Sequence, residues 1–159
     1  MSNARRIHVV DDEEEVRETL NNVLKSLDYI PYTAASGAEA LEILKKEPVD
    51  VILSDLYMPE MDGIELLKRV KMQDSKVIFL MITAHPTIET AVEAIKKGAY
   101  DYLTKPFHIE EVRLKINRAL EKKGLANSLK TANGIIWALL ISIPLWLILG
   151  IFLASLLSD

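Results

Sequence analysis

Acidic, hydroxyl and lysine side chains stand at the ends of short apolar segments in this sequence. Five residues share this placement: Asp11, Asp12, Asp55, Thr83 and Lys105. Crowded carboxylates repel one another unless a hard cation lies among them, and carboxylate oxygens without histidine or cysteine suit Mg²⁺. A carboxylate nucleophile, a divalent cation, an ammonium group and a hydroxyl are the groups needed to form and stabilise an acyl phosphate. The sequence therefore predicts phosphoryl transfer onto an aspartate.

Each of these residues also has a structural explanation when it is considered alone. An aspartate after a strand is commonly a helix N-cap, which would suit either Asp11 or Asp12. Asp55 is typical of turns, Thr83 of strands, and Lys105 before a proline of solvated loops. The functional interpretation depends on their joint placement, because the residue types follow the strands in the arrangement that phosphoryl transfer requires.

The composition allows one soluble domain and one appendage. The chain has 159 residues, of which 50% are hydrophobic, and it has no cysteine and a formal net charge of −4. The lack of cysteine excludes disulfides, thiol catalysis and a zinc knuckle. Basic residues are concentrated in 113–130, whereas the preceding part is acidic, so nucleic acid is not expected as a partner.

Short apolar segments rich in β-branched residues predict five β-strands, and the helical periodicity between them predicts five helices. Because the strand segments are apolar throughout, they favour a five-stranded parallel sheet covered on both faces, a doubly wound α/β fold. In such sheets ligands bind at the carboxyl ends of the strands. Thr87 is expected to cap a helix that ends near Gly98. The predicted strands are Ile7–Val10, Tyr29–Thr33, Val51–Leu53, Val77–Ile82 and Tyr100–Leu103.

Four stretches of the sequence resemble the receiver domain of two-component response regulators, which has the CheY-like (flavodoxin-like) fold. They are HVVDDEEEVRETL, DVILSDLYMPEMDG, MITAH and GAYDYLTKPF, and they span about residues 5 to 122. The segment ITAHPTIETAVEAIKKGAYDYLTKPF is most similar to receivers of the NtrC type. The resemblance implies that Asp55 accepts a phosphoryl group from a sensor histidine kinase or a phosphotransfer protein.

The same resemblance assigns a magnesium site and a lysine contact. It implies that Asp12 binds Mg²⁺ directly together with Asp55, that Asp11 acts mainly through water, and that the Tyr57 carbonyl completes the protein ligands. Lys105 would pair with the phosphoryl oxygens, and the Lys105–Pro106 peptide bond would be cis. Neither Asp55→Ala nor Lys105→Ala would disturb the fold on this interpretation.

The resemblance also implies a switch. Thr83 would move to hydrogen-bond the phosphoryl group and Tyr102 would turn inward, which would reshape the face formed by helix 4, strand 5 and helix 5. We further hypothesise that two bulky side chains near the site, Tyr57 and His85, hinder an attacking water and tune the lifetime of the phosphoryl group. The alternative is that Tyr57 is a half-buried surface residue and His85 a loop residue.

The end of the chain has the length and composition of a membrane-spanning helix. No charged residue lies between Lys130 and Asp159, and 134–157 comprises 24 residues. A helix of this length would extend ~36 Å, enough to cross a bilayer core. A buried helix in a larger soluble core is disfavoured, because the preceding domain fills its own layers. We therefore expect a receiver domain at 5–123, a basic and polar juxtamembrane linker at 124–133 and one transmembrane helix at 134–157.

The charge distribution around this segment predicts its orientation. Basic residues precede it and none follows, which favours a single-pass protein of the inner (cytoplasmic) membrane with its receiver domain in the cytoplasm. Pairs of small residues at four-residue spacing in the segment would permit a homodimer in the bilayer.

The sequence thus favours a membrane-anchored, Mg²⁺-dependent phosphoacceptor that promotes its own phosphorylation and dephosphorylation, has no DNA-binding output domain and is not otherwise an enzyme. One alternative is a tethered phosphate sink or scaffold without downstream output. A second is a Mg²⁺ phosphohydrolase that acts through an aspartyl intermediate, although no general acid accompanies the nucleophile. A third is a fragment of a larger membrane protein.

Overall fold

The computed structural model describes residues 5–124 together with residues 138, 140 and 142. Across 5–124, strands and helices alternate as the sequence predicts, and each strand lies within two residues of its predicted bounds. The strands are β1 (Arg6–Val10), β2 (Ile30–Ala34), β3 (Val51–Asp55), β4 (Ile78–Thr83) and β5 (Asp101–Thr104). The helices are α1 (Glu14–Ser26), α2 (Gly37–Lys46), α3 (Gly63–Gln73), α4 (Ile88–Lys97) and α5, which covers 109–124.

The five strands form one parallel sheet in the order β2-β1-β3-β4-β5. In the register, Val10 of β1 lies beside Ser54 of β3, and Asp55 lies beside Ile82 of β4. β2 lies on one side of β1, whereas β3, β4 and β5 follow in that order on its other side. The carboxyl ends of β1 and β3 therefore border the crevice where a doubly wound sheet binds its ligand.

Helices cover both faces of the sheet, which explains why the strand segments are apolar throughout. On one face α1 and α5 pack through a buried cluster that includes Leu20, Leu24, Val112, Ile116 and Ala119. On the other face α2, α3 and α4 contribute a second cluster that includes Ala40, Leu66, Leu67, Val70 and Ala94. The three central strands β1, β3 and β4 thus contribute side chains to both clusters in alternation.

Local sequence signals determine where α4 begins and ends. The Thr87 side chain accepts a hydrogen bond from the Thr90 N–H, and the Thr90 hydroxyl accepts one from the Thr87 N–H. Gly98 ends the helix at φ 104°, a left-handed conformation that glycine adopts at little cost. Both predicted boundaries of this helix are confirmed.

His8 is a polar side chain buried in the middle of β1. It is fully inaccessible to solvent, and neither of its ring nitrogens has a hydrogen-bond partner among the described residues. Burial lowers the pKa of His8 to about 4, while the negative charge of Glu39 acts in the opposite direction. The imidazole is therefore neutral in the folded protein at neutral pH.

This burial predicts acid sensitivity. An unfolded His8 takes up a proton near its ordinary pKa whereas the folded one does not, so stability falls as the pH drops from about 6.5 toward about 4. Between about pH 7 and pH 5 the loss from this residue is expected to be about 2 kcal/mol. Urea unfolding of the wild type and His8→Leu at both pH values checks this. An equal loss in both proteins would contradict it.

The chain divides into two units, Met1–Glu121 and Lys122–Asp159. The predicted linker at 124–133 and the predicted transmembrane segment at 134–157 lie outside the described residues, except for Gly124, Ala138, Leu140 and Ser142. Within the part of the chain that the structure describes, no helix is both long and apolar enough to span a bilayer.

Candidate functional site

The strand order brings two of the predicted carboxylates together. Asp11 immediately follows β1 and Asp55 is the last residue of the neighbouring strand β3. Both are buried: Asp11 is completely inaccessible to solvent and Asp55 is 5% exposed. Two buried carboxylates at adjacent strand ends need a positive partner, since an unpaired buried charge is costly.

Lys105 supplies that partner. Its Nζ lies 2.8 Å from Asp11 Oδ2, 2.9 Å from Asp55 Oδ1 and 3.0 Å from Glu13 Oε1. The lysine reaches this position because its backbone N–H donates to the Thr83 carbonyl across the β4–β5 edge, at 2.8 Å. The peptide bond between Lys105 and Pro106 is cis, as the resemblance implies.

The three contacts determine the charge state of the lysine. Its burial acts to lower its pKa, but hydrogen bonds to Asp11, Asp55 and Glu13 outweigh this effect and raise the pKa of Lys105 above its ordinary value. Burial raises the pKa of Asp11, and the nearby charge of Asp55 adds to that effect, while hydrogen bonds from Lys105 and the Glu13 N–H oppose it. Lys105 is therefore a permanent cation at the centre of the site.

Backbone contacts orient the two carboxylates. The N–H of Tyr57 donates to Asp55 Oδ2 at 2.7 Å, and the N–H of Glu13 donates to Asp11 Oδ1 at 3.0 Å. Arg17 Nη1 donates to the carbonyl oxygens of both Asp11 and Asp12, at 2.8 and 3.0 Å. The N-cap of α1 is Glu13, without a side-chain capping bond, so neither aspartate serves as its N-cap.

Sequence reasoning missed Glu13 and Arg17. Glu13 is part of the acidic run that follows β1, but its type alone does not distinguish it from its exposed neighbours Glu14 and Glu15. Arg17 lies four residues after Glu13, so one turn of α1 returns its side chain toward the β1–α1 loop. The helical spacing of Arg17 was the one available signal.

The donor chemistry of the site fits Mg²⁺. The Asp12 carboxylate is exposed and has no hydrogen bond or ion pair with any described residue, and the only polar contact of the buried Asp11 Oδ2 among those residues is Lys105 Nζ. Carboxylate and carbonyl oxygens are the ligands that this ion prefers. Within the described residues, however, no three acidic or histidine side chains are gathered as a ready-made metal site.

The remaining predicted residues surround these charges at different depths. Thr83 is buried at the end of β4, and its hydroxyl accepts a hydrogen bond from the His85 N–H at 3.1 Å. The side chains of His85 and Tyr57 are exposed, Tyr57 by 53%. Tyr102 on β5 is 37% exposed and lines one small pocket together with Thr83.

The loop between β3 and α3 holds a strained residue. Glu60 has φ 64°, a left-handed conformation that is costly for a side chain other than glycine, asparagine or aspartate. Glu60→Gly is expected to raise the free energy of unfolding by about 0.5–1 kcal/mol. Asp28→Gly, at φ 61°, is the matched comparison and should gain less, because aspartate tolerates this conformation better. Urea unfolding of both variants checks the order, and a larger gain for Asp28→Gly would contradict it.

Comparisons with known proteins agree with this geometry. The profile of the response regulator receiver domain matches residues 7–117. The regulatory protein AtoC of Escherichia coli is 36% identical over 130 residues, which are 82% of this chain and 28% of that protein. The DNA-binding transcriptional regulator NtrC of E. coli is 40% identical over 114 residues, which are 72% of this chain and 24% of NtrC. This chain thus spans about a quarter of the length of these relatives.

A solved structure shows the same fold. The chemotaxis protein CheY4 of Vibrio cholerae superposes with a TM-score of 0.71 at 35% identity, over 73% of this chain and 98% of CheY4. The five-stranded sheet, the family profile and the curated relatives all concern the same part of the sequence. The chain belongs to the response regulator receiver domain family.

Proposed function

We propose that this protein is a phosphorylation switch in which Asp55 accepts a phosphoryl group from a sensor histidine kinase or a phosphotransfer protein. The observation that carries the proposal is the Lys105 ammonium, which lies within 3 Å of both Asp11 and Asp55 at the carboxyl edge of the sheet. A permanent cation beside a buried carboxylate is suited to stabilise the charge of a transferring phosphoryl group.

In the proposed reaction, a carboxylate oxygen of Asp55 attacks phosphorus while the phosphorus–nitrogen bond to the donor histidine breaks. The bonding electron pair returns to the imidazole, and Lys105 pairs with the phosphoryl oxygens. Water later attacks the same phosphorus and releases inorganic phosphate, which regenerates the carboxylate. The protein would thus promote its own phosphorylation and dephosphorylation without acting as an enzyme on other substrates.

We propose Mg²⁺ as the cofactor, held by Asp12, Asp55 and the Tyr57 carbonyl, with Asp11 acting through water. When bound, the ion would neutralise charge on the phosphoryl oxygens. The exposed Asp12 carboxylate supports this assignment, because it is available to a cation without breaking an existing contact.

Acetyl phosphate labelling of the full-length chain tests the proposed reaction. Intact mass spectrometry should detect one added phosphoryl group in the wild type with Mg²⁺. Chelation of Mg²⁺ and Asp55→Asn should each remove the signal, and Asp12→Asn should raise the Mg²⁺ concentration required by at least ~10-fold. Labelling that persists in Asp55→Asn would exclude Asp55 as the acceptor.

We propose Thr83 and Tyr102 as the switch residues, with α4, β5 and α5 as the face that changes. The support is their shared pocket, which Ala91 and Ala94 of α4 also line, so a moving Thr83 would alter the surroundings of Tyr102. We propose a protein rather than a nucleic acid as the partner that binds this face. Beryllofluoride should shift the nuclear magnetic resonance (NMR) signals of α4 and β5 in the wild type but not in Thr83→Ala.

Tyr57 and His85 are proposed to lengthen the phosphoryl lifetime by hindering water. The support is their position, since the Tyr57 N–H contacts Asp55 and the His85 N–H contacts Thr83. Phosphoryl loss after removal of the donor should be faster in Tyr57→Ala and His85→Ala than in the wild type. Unchanged rates would leave these two as ordinary surface residues.

We propose that residues 134–157 anchor the protein in the cytoplasmic membrane as a single-pass span, with 124–133 as the linker and the receiver domain (5–123) in the cytoplasm. The support is the absence of charged residues from this segment. Full-length protein should float with liposomes, and Leu147→Arg combined with Leu149→Arg should abolish flotation. In-membrane crosslinking of the same sample would detect the homodimer.

A tethered phosphate sink or scaffold is the second candidate function. It uses the same site and is supported by the same contacts around Lys105. The two functions differ in the phenotype of Asp55→Asn. If the protein is a switch, Asp55→Asn should cause a signalling defect even when the kinase has no other phosphoryl acceptor. If the protein is a sink, Asp55→Asn should instead increase phosphoryl transfer from the kinase to its other acceptors.

A further inference from the structure

The Lys105 ammonium already has three ionic partners among the described residues. An ammonium group carries three protons, and Lys105 Nζ has three carboxylate partners between 2.8 and 3.0 Å away, on Asp11, Asp55 and Glu13. A phosphoryl oxygen on Asp55 that pairs with Lys105 would have to compete with these partners for the ammonium group, and displacing one of them would relieve that competition. The three carboxylates differ greatly in what that would cost.

Glu13 is the partner that leaves at the lowest cost. The Asp11 side chain is fully buried, and its Oδ2 has no polar contact among the described residues other than this lysine, so its release would strand a charge. Asp55 is the acceptor itself. The Glu13 side chain is 65% exposed, so water can replace the ammonium around its carboxylate.

On the basis of the proposed phosphorylation of Asp55, we propose that Glu13 is a positioning residue. Its carboxylate stays paired with the Lys105 ammonium until an incoming phosphoryl group displaces it. Glu13 then competes with the phosphoryl oxygens for the ammonium and keeps the lysine directed at the site beforehand. No bond of Glu13 is made or broken beyond this ion pair. The phosphorus–oxygen bond still forms on Asp55, and the donor leaves with its electron pair.

The competition predicts the effect of removing the Glu13 charge. Glu13→Gln should increase the apparent affinity for beryllofluoride with Mg²⁺, and the rate of labelling by acetyl phosphate, by about threefold to fivefold, the size of one exposed ion pair. Glu13→Asp keeps the charge on a shorter side chain and should give a similar increase. Both gains should shrink at high salt, which weakens exposed ion pairs.

Glu14→Gln is the matched control. It removes the same charge from the adjacent position, which is also exposed, and none of the ion pairs of Lys105 involves Glu14. A similar gain in Glu14→Gln would assign the effect to net charge and overturn the proposal. A Mg²⁺ affinity that falls in Glu13→Gln but not in Glu14→Gln would overturn it as well, because Glu13 would then act on the metal ion rather than on Lys105 alone.

The ¹⁵Nζ NMR signal of Lys105 provides a readout that needs no phosphoryl donor. Glu13→Gln should shift this signal in the absence of Mg²⁺ and beryllofluoride, whereas Glu14→Gln should leave it in place. A wild type that neither binds beryllofluoride nor is labelled would refute the proposed function. A wild type that is labelled, with Glu13→Gln no faster and the Lys105 signal unmoved, would refute the role of Glu13 alone.

Discussion

Gly63→Ala is expected to lower the free energy of unfolding by about 3 kcal/mol or more. A Cβ at this position would lie 2.3 Å from the Asp55 carbonyl oxygen, 2.7 Å from Met81 Sδ and 3.1 Å from Leu56 Cα. Two of these atoms belong to the backbone and cannot move aside alone. The hydrogen bond from the Gly63 N–H to the Leu56 carbonyl, at 2.9 Å, would also be strained. The loss is large against a typical domain stability of about 5–15 kcal/mol.

Gly37→Ala is the matched control for this substitution. Gly37 and Gly63 are both the first residue of a helix that follows a capping side chain, Ser36 and Asp62 respectively. The three atoms nearest to a Cβ on Gly37 would all belong to the Met61 side chain, the first at 2.7 Å, and a methionine side chain can rearrange. Gly37→Ala should change the free energy of unfolding by no more than about 1 kcal/mol, since alanine also favours the helix.

Urea unfolding of the full-length chain in mild detergent, followed by far-ultraviolet circular dichroism, measures both effects. Acetyl phosphate labelling of Gly63→Ala should slow as well, because the clash displaces the backbone of Asp55. Equal stabilities of the two glycine variants would show that α3 can move away from β3 without cost, contrary to the close approach at Gly63.

Lys105→Ala is expected to destabilise the fold by about 2–4 kcal/mol at neutral pH, besides abolishing the switch. The sequence alone predicted that this substitution leaves the fold intact. The structure changes that expectation, because the Lys105 side chain is only 13% exposed and neutralises a fully buried Asp11. Removal of the lysine leaves two buried carboxylates beside each other. Asp55→Ala, which removes one of them, is still expected to be mild.

The pH dependence of the Lys105→Ala effect follows from Asp11. The pKa of this carboxyl is already raised by burial, and loss of the lysine removes the hydrogen bond that opposes the rise. A carboxyl with a raised folded-state pKa contributes stability at low pH that is lost as the pH rises through that pKa. The difference between wild type and variant should therefore be smaller near pH 4 than near pH 7, and His8 affects both proteins equally.

A double-mutant cycle isolates the pair. Asp11→Asn in the Lys105→Ala background should restore at least about 1 kcal/mol, because it removes the stranded charge. Asp11→Asn in the wild type should not stabilise the protein to the same extent, since Lys105 would then lose a partner. Additive effects in the cycle would mean that the 2.8 Å contact between the two side chains contributes nothing to stability.

The amino-acid sequence by itself determined the elements and the residues at the strand ends. Apolar segments such as Val51–Leu53 and the caps at Thr87 and Gly98 act over a few neighbouring residues, so periodicity and local hydrogen bonding are sufficient to locate them. Asp55 and Lys105 were identified for a related reason, because in a parallel sheet a residue just past a strand must lie at one edge.

Only the tertiary structure decided which atoms meet at that edge. Lys105 and Glu13 are separated by 92 positions in the chain and contact each other because β5 and β1 end at the same edge of the sheet. The close approach of Gly63 to the Asp55 carbonyl likewise depends on packing between elements, and so does the burial of His8 without a hydrogen-bond partner among the described residues. A sequence pattern reports the face on which a side chain lies, whereas contacts, burial and charge pairing depend on how distant segments come together in three dimensions.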